Sequence, residues 1–203
     1  MQSVRLTYNS LELNQIRLLN ILKLFKRRGV IKNVDNIYNS NKPESMINTV
    51  FKFNSDINPD QKIAISIINS HITSIPKNSS IDDFLGHDVK AFKILCIPNI
   101  SKKVFKQVKV YPNSQVFQLL NFDEDIPEKD FIQDHRIISE DEKIIISKKY
   151  KPSNLPKIQD CELMARYYNA KPGDILEIKR KNINCGEGIA YRLVIPGSIE
   201  LFF

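Results

Sequence analysis

Between Ile63 and Leu120 the chain repeatedly exchanges one periodicity for another. Ile63, Ile65 and Ile67 alternate with smaller residues, the period of a strand. Ser80-Ile-Asp-Asp83 then reads as a helix start, with a side-chain oxygen for the free amides and carboxylates near the positive end. Phe92 to Ile97 is an apolar run of strand length, Ser101 can cap a basic helix through Val108, and Val116 to Leu120 is again a strand. Strands alternating with helices bury a sheet beneath helices, so this part is expected to be α/β. Ahead of it, Leu11 to Arg28 carries apolar residues at Leu11, Leu18, Leu22 and Phe25, widened by Ile16, Leu19 and Ile21. That spacing predicts an amphipathic helix, and Gly29 supplies a left-handed stop. Residues 33–61 are rich in Asn, Ser, Asp and Pro, with an apolar island at Val50 to Phe53. They read as a loop region holding one short strand or helix.

At Asp123 to Asp134 the composition turns acidic and includes a proline, and the charge changes sign. Residues 1–110 hold 17 Lys/Arg against 8 Asp/Glu, residues 111–150 hold 5 against 9, and residues 151–203 hold 8 against 6. The acidic stretch is therefore the boundary candidate, and 203 residues are enough for two small domains. A basic first half fits either a polyanionic neighbour such as nucleic acid or a plain solvated face. Beyond the boundary, Ser139-Glu-Asp-Glu142 is a capping box. A helix should run from it to about Tyr150 with Ile144 to Ile146 facing inward, and Pro152 should end it. A second short helix is expected from Asp160 to Tyr168. Pro172-Gly173 is a tight turn, and Ile175, Leu176, Ile178 and Tyr191 to Ile195 are strands joined by a Gly186-Glu-Gly188 loop. The whole is α+β.

Several function classes fall away. No apolar run approaches the roughly 20 residues of a membrane span, and neither a basic leader nor a small-residue cleavage site flanks Leu11 to Phe25. Cys96, Cys161 and Cys185 are not paired at metal-binding spacing, and His71, His87 and His135 are scattered, so no structural zinc site is expected. Sparse, odd cysteines fit a reducing compartment.

The last third carries a specific pattern. It contains Leu155-Pro156-Lys157-Ile158-Gln159, then Ala165, Tyr167, Lys171 and Gly173, then Ile178, Arg180, Lys181, Gly186, Tyr191 and Arg192 in one register. Upstream lies His135 followed by Ser139-Glu-Asp-Glu-Lys143. This stretch resembles the fifth subunit shared by eukaryotic RNA polymerases I, II and III, whose carboxyl-terminal half corresponds to a small subunit of the archaeal RNA polymerase. Leu11 to Gly29 and Ile94 to Val108 resemble that family's amino-terminal jaw more loosely. There are departures: Lys129 to His135 lacks one of the family's His and its Pro, Glu162-Leu163 replaces Asp-Pro, Asn182 to Gly188 loses an Arg and an aromatic, two residues are missing between Tyr150 and Leu155, and a tail runs from Pro196 to Phe203. A divergent version rich in Ile, Asn and Lys suggests a large DNA virus or a protist.

The resemblance implies an amino-terminal α/β jaw domain, residues 1–125, and a small mixed α+β assembly domain, residues 126–203. It implies no catalytic residue, cofactor or metal. It implies docking on the largest polymerase subunit, other polymerase subunits as partners, no membrane, and sequence-independent proximity to downstream double-stranded DNA. Tyr167, Lys171, Arg180, Tyr191 and Arg192 are carried over as docking residues, and Lys23, Lys26, Arg27 and Arg28 as the group near DNA. By the same resemblance the protein acts inside cells: in the nucleus if cellular, in host cytoplasm and virion if from a cytoplasmic DNA virus. Independently of the resemblance, the capped helix and the short Tyr helix are expected to cover one face of a small sheet, leaving the other face and the edge strand open to pairing with another chain.

The competing reading is a stand-alone nucleic-acid-binding protein or metal-dependent nuclease. Glu177-x-Lys179 with Asp174 nearby has the residue types such nucleases use: carboxylates for magnesium and a Lys for developing charge. Alternating charge on the exposed side of a half-buried strand explains the same residues. His135 could act as a base, but no nucleophile is identifiable near it in sequence. Lys23 to Arg28 could simply complement a helix dipole, and Tyr167 and Tyr168 could stack on bases or pack against protein.

Overall fold

The computed structural model describes residues 8–43, 49–129, 132–182 and 186–197. The chain forms two compact units, Met1–Asp125 and Ile126–Phe203.

In the first unit, α1 (Ser10–Arg27) opens on a capping box. Asn9 accepts from the Glu12 amide, and Glu12 accepts in return from the Asn9 amide, both at 2.8 Å. Gly29, at φ +68°, ends it, with Val30 N donating to Phe25 O and Gly29 N to Lys26 O. Of the expected stripe, Leu18, Ile21, Leu22 and Phe25 are 0% exposed, joined by Leu24, while Leu11, Ile16 and Leu19 are partly buried. The segment 33–61 departs from expectation by holding both a helix, α2 (Val34–Asn41), and a strand, β1 (Thr49–Asn54). The reason is a cap that local sequence does not contain. The Asp56 carboxylate accepts from the Lys32 and Asn33 amides at 2.6 and 2.7 Å, more than twenty residues upstream.

β1, β2 (Lys62–Ile67), β3 (Phe92–Ile97) and β4 (Ser114–Gln118) form a sheet in that order. β1 runs antiparallel to β2; the other pairs are parallel. Ala64, Leu95, Ile97 and Val116 face a core shared with α3 (Ser80–Gly86) and α4 (Lys102–Lys109). Ile63, Ile65, Ile67, Ile94, Cys96 and Phe117, on the opposite face, are equally buried. Both faces being covered explains why β2 and β3 read as nearly continuous apolar runs. Ser101 caps α4 as expected. The cap of α3 is Ser79 rather than Ser80, since Ser79 Oγ accepts from the Asp82 amide. β4 stops at Gln118, where a 3₁₀ turn, Leu119–Phe122, takes over and leaves Leu120 exposed.

The second unit is a four-stranded sheet ordered β5 (Asp134–Ile137), β7 (Ile175–Asn182), β8 (Gly186–Ile195), β6 (Lys157–Gln159). Gly186 to Gly188 belong to β8, paired with Asn182 to Arg180, so the loop expected there is strand. Lys171 to Asp174 make a turn closed by Asp174 N to Lys171 O, with Gly173 at φ +95° where only glycine is comfortable. α5 (Glu140–Lys149) has its capping box, but Ile144 and Ile145 are 56% and 64% exposed; Ile146 alone of the three packs inward. Successive residues are about 100° apart on a helix, so Ile144 to Ile146 spread over about 200° and cannot share one face. α6 (Leu163–Tyr167) is shorter than expected.

The two helices lie on opposite faces of this sheet, not on one. Ile175, Tyr191 and Leu193 pack with Ile146 of α5 and with Leu155; Leu176, Val194 and Ile158 pack with Ala165 of α6. The alternation of the strands sends these two sets to opposite sides.

Candidate functional site

A charged chain crosses one face of the second unit. Glu177 sits in the half of β7 that is buried on both sides, flanked by Leu176 and Ile178, and is itself only 6% exposed. A carboxylate there needs a partner. Arg136 on the adjacent strand supplies it, with Nε donating to Oε1 at 2.8 Å and Nη2 to Oε2 at 2.9 Å. The other edge of the guanidinium grips Glu142 of α5 at 2.9 and 2.8 Å, and the Tyr191 hydroxyl donates to Glu177 Oε2 at 3.4 Å. One arginine thus ties the first turn of α5 to β5, β7 and β8. The Arg136 hydrogen bonds, with the Ser139 amide, hold the Glu142 carboxyl down at about 2, while burial and then the Glu177 carboxylate push the Tyr191 phenol up. Sequence reasoning missed Arg136 and Glu142 as partners; the signal was a glutamate inside an apolar triplet. It also placed Glu177 on an exposed face, where it is not.

The five carried-over docking residues are not brought together as one patch. Tyr167 is 1% exposed and packs edge-on to Tyr168 at 5.4 Å, so its ring supports the surface from beneath. Tyr191 lies on the α5 face. Arg180 and Arg192 lie on the α6 face, across from Gly188 and Leu176. Arg180 is exposed and Arg192 half-buried. His135 occupies the same face, its ring stacked on Tyr168 at 6.5 Å and its Nδ1–H donating to Gln133 O at 2.5 Å. Burial pushes this imidazole below the ordinary histidine range; the Gln133 hydrogen bond opposes that, and the Arg192 charge adds to it. Lys171 is exposed in the turn, with Nζ donating to Asn169 Oδ1 at 2.9 Å.

In the first unit the basic end of α1 is largely occupied. Asp125, its side chain 9% exposed, receives Arg27 at 2.6 Å and Lys23 at 3.2 Å. Burial would raise this carboxyl, but the two cations outweigh it and hold it below the usual range. Arg28 Nη2 donates to Gln115 Oε1 at 2.6 Å; Lys26 is exposed. Higher on α1, Arg17 binds Asp123 at 2.7 Å and Asn20 donates to Phe122 O at 2.9 Å. The start of the acidic stretch is therefore strapped to α1.

The nuclease geometry is not assembled. The Glu177 carboxylate is taken by a guanidinium, Asp174 accepts from the Lys171 amide at 2.6 Å, and no group of three or more His, Cys, Asp or Glu placed to hold a metal ion occurs among the described residues. Cys96 and Cys161 are buried thiols; Cys185 and the tail from residue 198 lie outside the described residues. No helix among the described residues is long and apolar enough to cross a membrane.

The family match falls on this second unit. Residues 124–194 match the family described as RNA polymerase Rpb5, C-terminal domain. The DNA-directed RNA polymerase subunit Rpo5 of Pyrococcus horikoshii is 42% identical over 66 residues, which are 80% of that protein and 32% of this chain. DNA-directed RNA polymerase subunit 5 of Acanthamoeba polyphaga mimivirus is 30% identical over 135 residues, 65% of each protein. The Caenorhabditis elegans subunit RPABC1 of DNA-directed RNA polymerases I, II and III is 35% identical over 72 residues, 34% of each.

Proposed function

The chain belongs to the Rpb5 family of DNA-directed RNA polymerase subunits, and on that premise we propose that it is a non-catalytic subunit with two tasks. Its carboxyl-terminal unit docks on the largest polymerase subunit. Its amino-terminal unit extends as part of the lower jaw, beside downstream double-stranded DNA. The observation that carries the docking assignment is the coincidence of the family match, 124–194, with the compact unit that begins at Ile126. The archaeal relative, 80% of which is matched by 66 residues of this chain, is itself named a polymerase subunit. The mimivirus match, at 135 residues, is longer than the second unit and so extends into the first.

Arg180 and Arg192 are the proposed centre of the docking surface, with Lys171 at its margin, Tyr167 holding it from below and Tyr191 joining it to the opposite face. Arginine and tyrosine bury much area and donate hydrogen bonds with few flexible torsions. The edges of the sheet, β5 and β6, are four and three residues long, too short for strand addition to dominate. The jaw task requires charge rather than base readout, so DNA is held without sequence preference. Of the α1 group, Lys26 is the member turned to solvent, with Lys23, Arg27 and Arg28 behind it. The protein needs no cofactor for either task and acts wherever its polymerase acts.

Purification of the native complex tests this. A very large polymerase subunit should co-purify with the chain through stringent washing. A lone monomer that cleaves DNA when magnesium is added would overturn the reading in favour of the nuclease alternative.

A further inference from the structure

From Val89 to Phe122 the chain contains no Asp or Glu at all, yet it holds Lys90, Lys93, Lys102, Lys103, Lys106 and Lys109. Four of these lie on α4, and the helix sorts its residues without exception. Val104 and Val108 are 0% and 1% exposed, Phe105 packs on the same core, and Gln107 clamps the Ile75 backbone through Nε2 to O at 2.8 Å and Oε1 from N at 2.9 Å. The exposed positions are Lys102, Lys103, Lys106 and Lys109, so every solvent-facing residue of α4 is lysine. Lys102, Lys103 and Lys106 make no ion pair with any described residue, in contrast to Lys23 and Arg27.

Stability of the helix does not account for this arrangement. Lys102 and Lys103 stand in the first turn, at the positive end of the helix dipole, where acidic residues are favoured. Lys102 and Lys106, and Lys103 and Lys106, are like charges at i,i+4 and i,i+3 spacing, which is also unfavourable. The local fold is weakened by a row of charges whose repulsion an external polyanion would relieve. Because Val104 and Val108 pack the helix on the sheet core and Gln107 ties it to the segment at Ile75, the row is presented on a rigid support.

We infer that the lysine face of α4 is the principal phosphate-holding surface of the amino-terminal unit, and that its ligand is the backbone of double-stranded nucleic acid. This rests on the jaw reading and moves its charge contact from the end of α1 to α4. The row extends over about 10 Å of helix, while a duplex presents a charge per roughly 1.7 Å of its axis, so several phosphates lie within reach at once. The exposed positions carry ammonium groups and no aromatic ring, so the surface can hold phosphates but has nothing on which to stack a base.

The test uses the full-length chain and a 25-base-pair DNA duplex of arbitrary sequence, followed by fluorescence anisotropy across a salt series. The triple variant K102Q/K103Q/K106Q is compared with Lys26→Gln and with wild type, and circular dichroism checks that all three are folded. Each phosphate contact contributes about 0.9 to the slope of log K against log salt, so the triple variant should flatten the slope by about 2 to 3. Its affinity in 50 mM salt should fall at least tenfold, and Lys26→Gln should change the slope by about one at most. A triple variant with the wild-type slope, alongside a Lys26 variant that weakens binding, overturns the α4 assignment and leaves the jaw reading standing. A wild-type chain without duplex affinity even in dilute salt overturns both. Polyglutamate held as tightly as the duplex would identify an acidic protein segment as the ligand and would also overturn the proposal.

Discussion

At the level of single residues, burial is shared unequally within the ion pairs. Glu177 is 6% exposed, whereas the side chain of Arg136 is 47% exposed. Removing the arginine leaves a carboxylate stranded in an apolar strand; removing the glutamate leaves a guanidinium that still has water and Glu142. Arg136→Met should therefore cost about 2–4 kcal/mol of unfolding free energy, and Glu177→Gln roughly half of that or less. Urea melts of both variants check it, and equal costs would mean that the pair is solvated as a whole. Asp125 gives a pH prediction. Its folded carboxyl is held below the ordinary value near 3.8, so the folded state binds fewer protons there than the unfolded one. The stabilisation from Lys23 and Arg27 is fully present above that value and is lost as pH falls through the lower folded value. Asp125→Asn should be less stable than wild type at pH 7, and the gap should close progressively below about pH 4. Melting temperatures measured from pH 2 to 7 decide it. This bears on the proposed DNA contact: Arg27→Gln perturbs Asp125 as well as the surface charge, so a weaker DNA interaction in that variant would not report phosphate contact alone.

Among the elements, what could be read in the sequence followed from locality. The caps of α4 and α5, the stop at Gly29, the strands β2 and β3 and the Pro172-Gly173 turn rest on residues a few positions apart, and each is where its local pattern places it. The α2 helix was hidden because its cap, Asp56, arrives from beyond β1. Glu177 was misread because an alternating charge pattern looks the same whether its partner is water or an arginine on another strand. The single-faced sheet was an error of topology: local pattern gives the helical spans of α5 and α6 but not which side of β7 each one meets. Of the proposed site, the resemblance supplies residue types and positions but not which of Tyr167, Tyr191, Arg180 and Arg192 share a face, since that depends on strand register. The exposure of α5 leads to a direct test. Ile144→Glu and Ile145→Glu should each change the stability of the isolated chain by no more than about 0.5 kcal/mol, because the side chains are already in water. Ile146→Glu, which buries a charge against Ile138, Leu155 and Ile175, should cost about 2–4 kcal/mol or prevent folding. Thermal melts showing three equal effects would mean that α5 lies differently on the sheet.

For the molecule as a whole, the proposed division of labour makes the carboxyl-terminal unit an autonomous assembly module. It has its own capped helix, two core clusters on either face of one sheet, and a family match that stays almost wholly within it. A fragment of residues 126–203 should fold alone and still bind the largest subunit. Docking through the arginine-bearing face of this unit is best probed by Arg180→Glu combined with Arg192→Glu in the full-length chain. Reversing both charges removes contacts and adds repulsion, while the exposed and half-buried positions of the two side chains leave the fold intact. The measurement is recovery of the largest polymerase subunit on the tagged variant, with circular dichroism of the same protein. A wild-type spectrum with recovery reduced at least tenfold is expected; a folded double variant that recovers the subunit at wild-type yield would show that docking does not use this face.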